Sequence, residues 1–430
     1  GVVMVASGEA RTWLHRIKGQ GMALGLENTA RAVAEMRFPA PTYETVHVAG
    51  SNGKGTTVAR LSAALSSADI DHLAFTSPHL VRVEERVRHN GRPVDATTFD
   101  EALVQVYDMV KRTGISLTFF EATFLIFLSV AARLSVRVVL METGLGGRLD
   151  ATRAVPADVA VITSLSLEHT AVLGDSLEAI AGEKGAIARS GKPLVVQWVE
   201  DPAARERLER CAAEAGDHPV DGRLGPADLR WVKPETGANY RDQADALAAL
   251  AWSHLKCAEN NVYPNIRELH WPGRMQDVVS AQRSNLVFVL EGAHNPSGMR
   301  TACDELAKQH RWRRPWALLF GTSPQTDMHG MLEPLAMLCS VHTPSVVVLT
   351  EPQFGRYPGV EAGVLRDDVE AFGVEVSATI PTPSDAVEWI ESNTPDCEHV
   401  LCIGSLYLQG NVLQALGADD DDALAVRAKD

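Results

Sequence analysis

The sequence predicts an α/β protein whose parallel sheets carry helices on both faces, divided into two domains. Three observations lead there. Short β-branched runs alternate with longer helical stretches, the βαβα order of a parallel sheet. A chain of 430 residues exceeds what one ordinary core holds. After Trp271-Pro272-Gly273-Arg274, a turn or linker signal, a second series of the same kind begins.

In chain order, residues 45–48 read as a strand and 56–66 as the helix that follows. Residues 137–141 and 157–163 are apolar runs of strand length. Residues 177–188 read as a helix, with Gly191 placed to end it, and 192–199 again as a strand. The polar, weakly patterned stretch 203–233 receives no assignment. The domain boundary is set just after Arg274, giving domains 1–274 and 275–430. Strands of the second series are expected at 286–290, 316–320, 345–349 and 399–403, and no internal repeat is visible.

Composition narrows the class. With 45% hydrophobic and 22% charged residues, the chain reads as globular rather than disordered. A net charge of -15 argues against general nucleic-acid binding, which needs a basic footprint. It leaves room for a phosphate site built from one loop and one lysine. Cys211, Cys257, Cys303, Cys339, Cys397 and Cys402 form no CxxC pair, so reduced, mostly buried thiols and a cytoplasmic home are expected. No apolar run reaches the roughly 20 residues needed to cross a membrane. Residues 1–6 are apolar but too short for a signal-peptide core. The acidic run Asp419-Asp420-Asp421-Asp422 reads as solvated, with no required role. A monomer is expected.

The strongest motif is Gly50-Ser51-Asn52-Gly53-Lys54-Gly55-Thr56-Thr57. It follows a strand and opens a helix, the context a phosphate loop requires. Glycines let backbone N–H groups approach phosphate oxygens, the helix end adds favourable dipole, and Lys54 supplies a charge for the β- and γ-phosphates. A strict Walker A pattern fails, because Val48 stands where its first Gly belongs and Gly55 separates Lys54 from Thr56. The plain alternative is a glycine-rich turn with a solvent lysine.

The other motifs are weaker one by one. Thr76-Ser77-Pro78-His79-Leu80 is by itself a common turn. Glu142 lies just past a buried strand, at the sheet edge where α/β proteins bind ligands. A glycine-rich loop follows it through Asp150, which favours a metal or substrate role over a capping one. His169 also follows a strand and a polar loop; imidazole can bind a divalent metal, though Mg²⁺ prefers oxygen, and a lone His there is more often structural. Lys184 alone would be read as a solvated helix lysine. Glu291-Gly292-Ala293-His294-Asn295-Pro296 suits a sheet-edge catalytic loop and a loop cap equally.

Taken together, the segments resemble the folylpolyglutamate synthase/dihydrofolate synthase family, within the wider Mur ligase group. The matches are Val48 through Thr56, Thr76-Ser77-Pro78-His79-Leu80, Leu117-Thr118-Phe119-Phe120-Glu121 and Gly144-Leu145-Gly146-Gly147-Arg148-Leu149-Asp150-Ala151-Thr152. They continue with Leu173-Gly174, Glu183-Lys184, Trp271-Pro272-Gly273-Arg274, Gly292-Ala293-His294-Asn295-Pro296 and Gly404-Ser405-Leu406-Tyr407-Leu408. Their order and spacing span nearly the whole chain.

The resemblance implies an N-terminal P-loop ATPase domain of Mur ligase type and a smaller Rossmann-like C-terminal domain. It implies ATP and Mg²⁺ as cofactors. Ser51, Asn52, Gly53, Lys54, Gly55 and Thr56 match the phosphate loop, and Ser77, Glu142 and His169 the magnesium ligands. Lys184 matches a lysine that the wider group carbamylates. Gln243, Arg274 and Glu291 match nucleotide contacts. Thr118, Phe119, Phe120, Glu121, Leu149, Asp150 and Ala151 match the pterin-substrate pocket, which Met22, Ala23, Leu24 and Gly25 are expected to line as well. His294 is assigned to orienting the incoming amino acid or stabilising phosphate.

The sequence departs from the family pattern in places. Glu291 stands for an Asp. Gln243, in Gly237-Ala238-Asn239-Tyr240-Arg241-Asp242-Gln243-Ala244, stands for an adenine-contacting Asn. A lysine usual near Gln325-Thr326-Asp327 is absent, and Glu183-Lys184 is followed by Gly-Ala rather than Ala-Gly. The implied activity is ATP-dependent addition of L-glutamate to dihydropteroate, reduced folates or both, through an acyl phosphate. Two alternatives are a Mur-type amide ligase with another acid acceptor and a phosphate-loop NTPase serving as a binding module.

Overall fold

The computed structural model describes residues 2–21, 25–215 and 225–429, with side chains from residue 6 onward. It divides into two compact units. The first comprises Gly1–Ser77, Val83–Leu269 and Val426–Asp430, the second Pro78–Arg82 and His270–Ala425. The changeover between Leu269 and His270 lies a few residues before the expected one at Arg274, and two short segments cross the simple division.

In the first unit the helices α1 (Val2–Lys18) and α2 (Glu27–Met36) precede β1 (Glu44–Ala49). Then come α3 (Lys54–Ser67), β2 (His72–Phe75), β3 (Val87–His89), β4 (Arg92–Pro93), α4 (Ala96–Thr113), α5 (Phe119–Arg133) and β5 (Val138–Glu142). The series continues with β6 (Val159–Ile162), α6 (Thr170–Leu173), α7 (Leu177–Gly185), β7 (Pro193–Gln197), α8 (Pro202–Ala213), β8 (Asp228–Val232) and α9 (Tyr240–Ser253), and β9 (Leu269–His270) falls at the changeover. One eight-stranded sheet runs β4-β3-β2-β5-β1-β6-β7-β8. Its strands are parallel from β2 to β8, and β3 and β4 extend it antiparallel.

Side chains alternate across such a sheet. On β1, Val46 and Val48 join a core with Leu61 and Leu65 of α3 and Trp252 of α9. The opposite face is covered in two places. Phe75 and Met141 pack with Phe99, Phe124 and Phe127 of α4 and α5. Further along, Ala160, Ile162, Leu194 and Val196 pack with Ala181 and Leu208 of α7 and α8. The expected two-faced covering is therefore present.

Two assignments change. The helix expected through residue 188 ends at Gly185; Gly191, with φ 70°, instead forms the turn ahead of β7. The stretch left unassigned contains α8 and β8. Asp201 caps α8 through the Ala204 amide, with Pro202 in its first turn, the usual N-terminal chemistry. Helix α8 packs on α7 so closely that a Cβ on Gly185 would lie 2.7 Å from Cys211 Sγ, and one on Gly182 2.8 Å from Arg207 Nε.

The second unit contains β10 (Gln276–Val279), β11 (Val287–Glu291), α10 (Pro296–Ala307), β12 (Trp316–Phe320), α11 (Met328–Val341) and β13 (Val346–Leu349). They are followed by α12 (Ala362–Ala371), β14 (Ala378–Thr379), α13 (Pro383–Asn393), β15 (His399–Ile403) and α14 (Leu406–Ala415). Its sheet order is β10-β11-β15-β12-β13-β14, with only β10 antiparallel. One face packs on α10, α11 and α12, the other on α13 and α14. A short strand β16 (Arg427–Ala428) pairs with β9.

The acidic run near the C-terminus is not merely solvated. Arg82 donates to the Asp419 carbonyl at 3.0 Å and pairs with the Asp421 carboxylate, and Asp420 accepts from the Ala423 amide. The six cysteines are free, and all but the half-buried Cys257 are buried. Among the described residues, no helix is long and apolar enough to cross a membrane.

Candidate active site

The three central strands β5, β1 and β6 end side by side. A parallel sheet delivers the loops after neighbouring strands to one edge, so the segments beginning at Gly50, Thr143 and Thr163 meet there. Gly50, with φ 152°, must be glycine: a Cβ would lie 1.7 Å from Thr163 Oγ1. The phosphate-type loop is laced to the loop after β6. The Ser51 amide donates to the Ser164 carbonyl at 2.8 Å, and Thr163 Oγ1 and Ser164 Oγ donate to the Asn52 carbonyl at 2.6 and 3.0 Å. Ser51 Oγ accepts from the Ser166 amide at 2.9 Å.

Gly53, with φ 87°, occupies the N-cap of α3 and brings no capping side chain. The first amides of the helix, including those of Gly55 and Thr56, therefore form an end suited to an anion. Lys54 is its first helical residue.

Glu142 is the last residue of β5, opposite Val48 of β1, and is buried. Ser77 follows β2, the strand on the far side of β5. His169 stands past β6 in the left-handed region, φ 45°, and exposed. Lys184 differs from the solvated helix lysine its local pattern suggested. It is fully buried, and its Nζ donates to Glu168 Oε1 at 2.8 Å. Burial pushes its pKa down, the Lys54 charge lowers it further, and Glu168 opposes both. The carboxylate that meets Lys184 is Glu168. Its signal was in plain view as the acid immediately before His169.

The donors expected for the metal are one carboxylate, one hydroxyl and one imidazole. Among the described residues, no group of three or more His, Cys, Asp or Glu side chains is arranged to hold an ion. A carboxylate and a hydroxyl suit an oxygen-preferring divalent cation that is held in part by substrate phosphates.

Of the residues expected to line the acceptor pocket, Met22, Ala23 and Leu24 lie outside the described residues. Gly25 sits just ahead of α2. Thr118 and Glu121 form a reciprocal capping box on α5, and the second carboxylate oxygen of Glu121 accepts from Thr29 Oγ1 of α2 at 2.6 Å. Asp150 is buried, and its carboxylate is similarly engaged: Oδ1 accepts the Gly144 and Leu145 amides at 2.9 and 3.0 Å, and Oδ2 accepts from the Thr152 amide and hydroxyl. These polar groups hold loops in place. The half-buried Phe119, Phe120 and Leu149 supply apolar surface, while Ala151 is buried. The Arg86 guanidinium lies 4.8 Å from the Phe119 ring centre. Gly144 lies against Phe120, whose ring a Cβ would approach to 2.7 Å.

Gln243 borders a cavity of about 550 Å³ lined by Gln197, Val232, Pro234, Gly237 and Asp242 among others. Its Oε1 accepts from Gln197 Nε2 at 3.1 Å, and its Nε2 donates to the Ala238 carbonyl at 3.3 Å. Gln197, at the end of β7, was not singled out by the sequence.

In the second unit, the turn at Gly273 and the loop at Glu291 are stitched together. The Gly292 amide donates to the Gly273 carbonyl at 2.7 Å, and a Cβ on Gly292 would lie 2.4 Å from Leu406. Buried Glu291 accepts from the Met275 and Ala293 amides at 3.1 and 3.0 Å, with Arg274 Nη1 at 3.8 Å. Burial raises its pKa and Arg274 opposes the shift. His294 Nδ1 lies 2.9 Å from the Gly292 carbonyl. That oxygen can only accept, so Nδ1 carries the proton. Gln325, near the place of the missing lysine, donates to the His294 carbonyl at 3.0 Å.

Comparison with known proteins bears on the family and the fold. Residues 273–406 match the family described as Mur ligase, glutamate ligase domain. The dihydrofolate synthase/folylpolyglutamate synthase of Escherichia coli K12 is 36% identical over 299 residues, covering 66% of this chain and 69% of that protein. The Bacillus subtilis protein of the same name is 27% identical, over 95% and 98% of the two chains. A probable bifunctional folylpolyglutamate synthase/dihydropteroate synthase of Halobacterium salinarum is 32% identical over 93% of this chain, which spans half of that longer protein. Among solved structures, E. coli FolC in complex with DHPP and ADP superposes with a TM-score of 0.74 at 25% identity, covering 95% of this chain and 98% of that one. A bifunctional folylpolyglutamate synthase/dihydrofolate synthase with Mn, AMPPNP and L-glutamate bound gives 0.72 at 28%, over the same shares. With its ordered motifs, its paired α/β units and these relatives, the chain belongs to the folylpolyglutamate synthase/dihydrofolate synthase family of Mur ligases.

Proposed function

We propose that this chain is an ATP-dependent ligase that joins the amine of L-glutamate to the carboxylate of dihydropteroate, of a reduced folate, or of both. The observation that carries the reading is the meeting of three loops at the ends of β5, β1 and β6. They bring an uncapped helix end with Lys54, a buried carboxylate at Glu142 and the Glu168–Lys184 pair to one sheet edge. That is the equipment for binding a nucleoside triphosphate and transferring its terminal phosphoryl group to an acid.

In this reading the amides of residues 51–56 hold the phosphates and Lys54 neutralises charge on the β- and γ-groups. Catalysis is mostly positioning and charge stabilisation. The acceptor carboxylate attacks the γ-phosphorus, ADP leaves, and the glutamate amine displaces phosphate from the acyl phosphate to form the amide. Ser77, Glu142 and His169 would hold Mg²⁺, whose chemistry there is to neutralise phosphate charge. Phe119, Phe120 and Leu149 supply an apolar wall for the flat acceptor, while Thr118, Glu121, Asp150 and Ala151 shape its loops. Gln243 faces the base. Roles for Arg274, Glu291 and His294 rest on the family resemblance. The protein would act as a cytoplasmic monomer.

The test is mass spectrometry of products formed from ATP, Mg²⁺ and L-glutamate with each acceptor offered separately. Glutamylated product should form with at least one pterin acid and disappear when EDTA removes the metal. ATP turnover indifferent to both pterin acids would refute the assignment.

A further inference from the structure

His47 lies in the middle of β1, three residues before Gly50, and is fully buried. Its neighbours Val46 and Val48 face the core beneath α3, so His47 faces the other side. There it contributes to a polar patch instead of joining the apolar packing. Its Nδ1 is 3.1 Å from Arg189 Nη1, and its Nε2 is 2.6 Å from Thr152 Oγ1.

The direction of these bonds follows from chemistry. A guanidinium only donates, so Nδ1 must accept and the imidazole proton must sit on Nε2. Nε2–H then donates to Thr152 Oγ1. The threonine hydroxyl is left to donate to Asp150 Oδ2, with which it is in hydrogen-bond contact. The other oxygen of Asp150 accepts the Gly144 and Leu145 amides. The chain Arg189, His47, Thr152, Asp150 therefore ends on the backbone two and three residues past Glu142. Burial and the Arg189 and Arg153 charges push the His47 pKa well below the usual imidazole value, which keeps the ring neutral and the chain one-directional.

The loop fixed in this way is also held elsewhere. Gly144 lies under the Phe120 ring and Gly147 against the Glu183 carbonyl. The Arg148 amide donates to that same carbonyl at 2.8 Å, in the helix that carries Lys184. Asp150 thus holds the end of the loop that leaves Glu142, between the proposed metal ligand and the proposed acceptor wall.

We propose that His47 is a positioning residue for ligation: held as its Nε2–H tautomer by Arg189, it orients Thr152 and Asp150 and so sets the Gly144–Leu145 backbone behind Glu142. It touches no substrate. The inference rests on the proposed ligase reading for its kinetic consequence, but not for the relay itself.

Three measurements test it. First, ¹⁵N spectra of wild-type protein should show a neutral His47 protonated on Nε2. Second, amide exchange at Gly144 and Leu145 should quicken about tenfold in His47→Leu and Thr152→Val, because their anchor loosens, while exchange at residues 50–56 stays as in wild type. Third, those two variants should lose about ten- to a hundredfold in kcat/KM for the pterin acceptor, the usual scale for groups that orient metal-site residues, with KM for ATP within about twofold. His47→Gln, which keeps an amide donor, and Thr152→Ser, which keeps the hydroxyl, should recover most of the loss. An Nδ1–H tautomer, unchanged exchange at Gly144 and Leu145, or Thr152→Ser as impaired as Thr152→Val would overturn the proposal. If wild-type protein ligates no pterin acid, the ligase reading fails, and the spectral and exchange measurements still decide the relay.

Discussion

Lys54 and Lys184 show how differently two lysines behave at one sheet edge. Lys54 opens α3 beneath an uncapped glycine, where its charge adds to that of the helix end. Lys54→Ala should lower ligation about a hundred- to a thousandfold, the scale for losing one preorganised charge-stabilising group, with circular dichroism unchanged. Near-normal turnover in the folded variant would remove ATP from the reading. Lys184 is buried, paired with Glu168 and lowered in pKa by burial and by Lys54. Carbamylation needs the neutral amine, and a carbamate would replace a positive charge near the proposed metal site with oxygens that Mg²⁺ favours. We therefore expect a ¹³C carbamate signal from labelled CO₂ that is absent in Lys184→Ala. Lys184→Arg, which keeps the charge but cannot form the carbamate, should be inactive. If the Glu168 ion pair is instead the working state, Lys184→Arg will retain activity and active enzyme will show no carbamate.

At the scale of elements, the α7–α8 contact explains one departure from the family pattern. Exchanging Gly for Ala in a helix ordinarily gains up to about 1 kcal/mol. At Gly185 the added methyl would sit 2.7 Å from Cys211 Sγ and 2.9 Å from its Cβ. Overpacking of this kind costs roughly 1–3 kcal/mol, so Gly185→Ala should destabilise the protein despite its better propensity. Adding Cys211→Ala should relieve part of the loss. Urea unfolding of the single and double variants would measure the coupling, and strict additivity would count against the steric account.

At the scale of the molecule, buried histidines make stability depend on pH. His72 on β2 is held by Ser62 Oγ at 2.7 Å and the Ile70 carbonyl at 2.9 Å, and burial lowers its pKa from 6.5 to about 4. Between those values the unfolded chain binds a proton that the folded chain refuses, so stability falls as pH drops from 6.5 towards 4. At 1.36 kcal/mol per unit the loss is roughly 3 kcal/mol, and His47 acts in the same direction. His72→Gln should flatten the dependence of the urea midpoint over this range; an unaltered slope would show that other groups control it.

What the sequence determined by itself was local. The strand–loop–helix turn at residues 50–57 was legible because glycine geometry, a helix start and one lysine are all encoded within eight neighbouring residues. The alternation of strands and helices announced a parallel sheet for the same reason. The family motifs, each short, gained force from their order. Long-range partners were not legible. Thr152 lies 105 residues from His47, and Arg189 lies 142 away; no local pattern announces either contact. The stretch holding α8 looked featureless because its helix packs through small contacts on α7 rather than through a strong apolar stripe. Which carboxylate meets Lys184 depended on which loop follows the neighbouring strand. Only the tertiary structure decides these, because strand order and side-chain face determine the neighbours of a buried polar group, and burial then makes each of them find a partner.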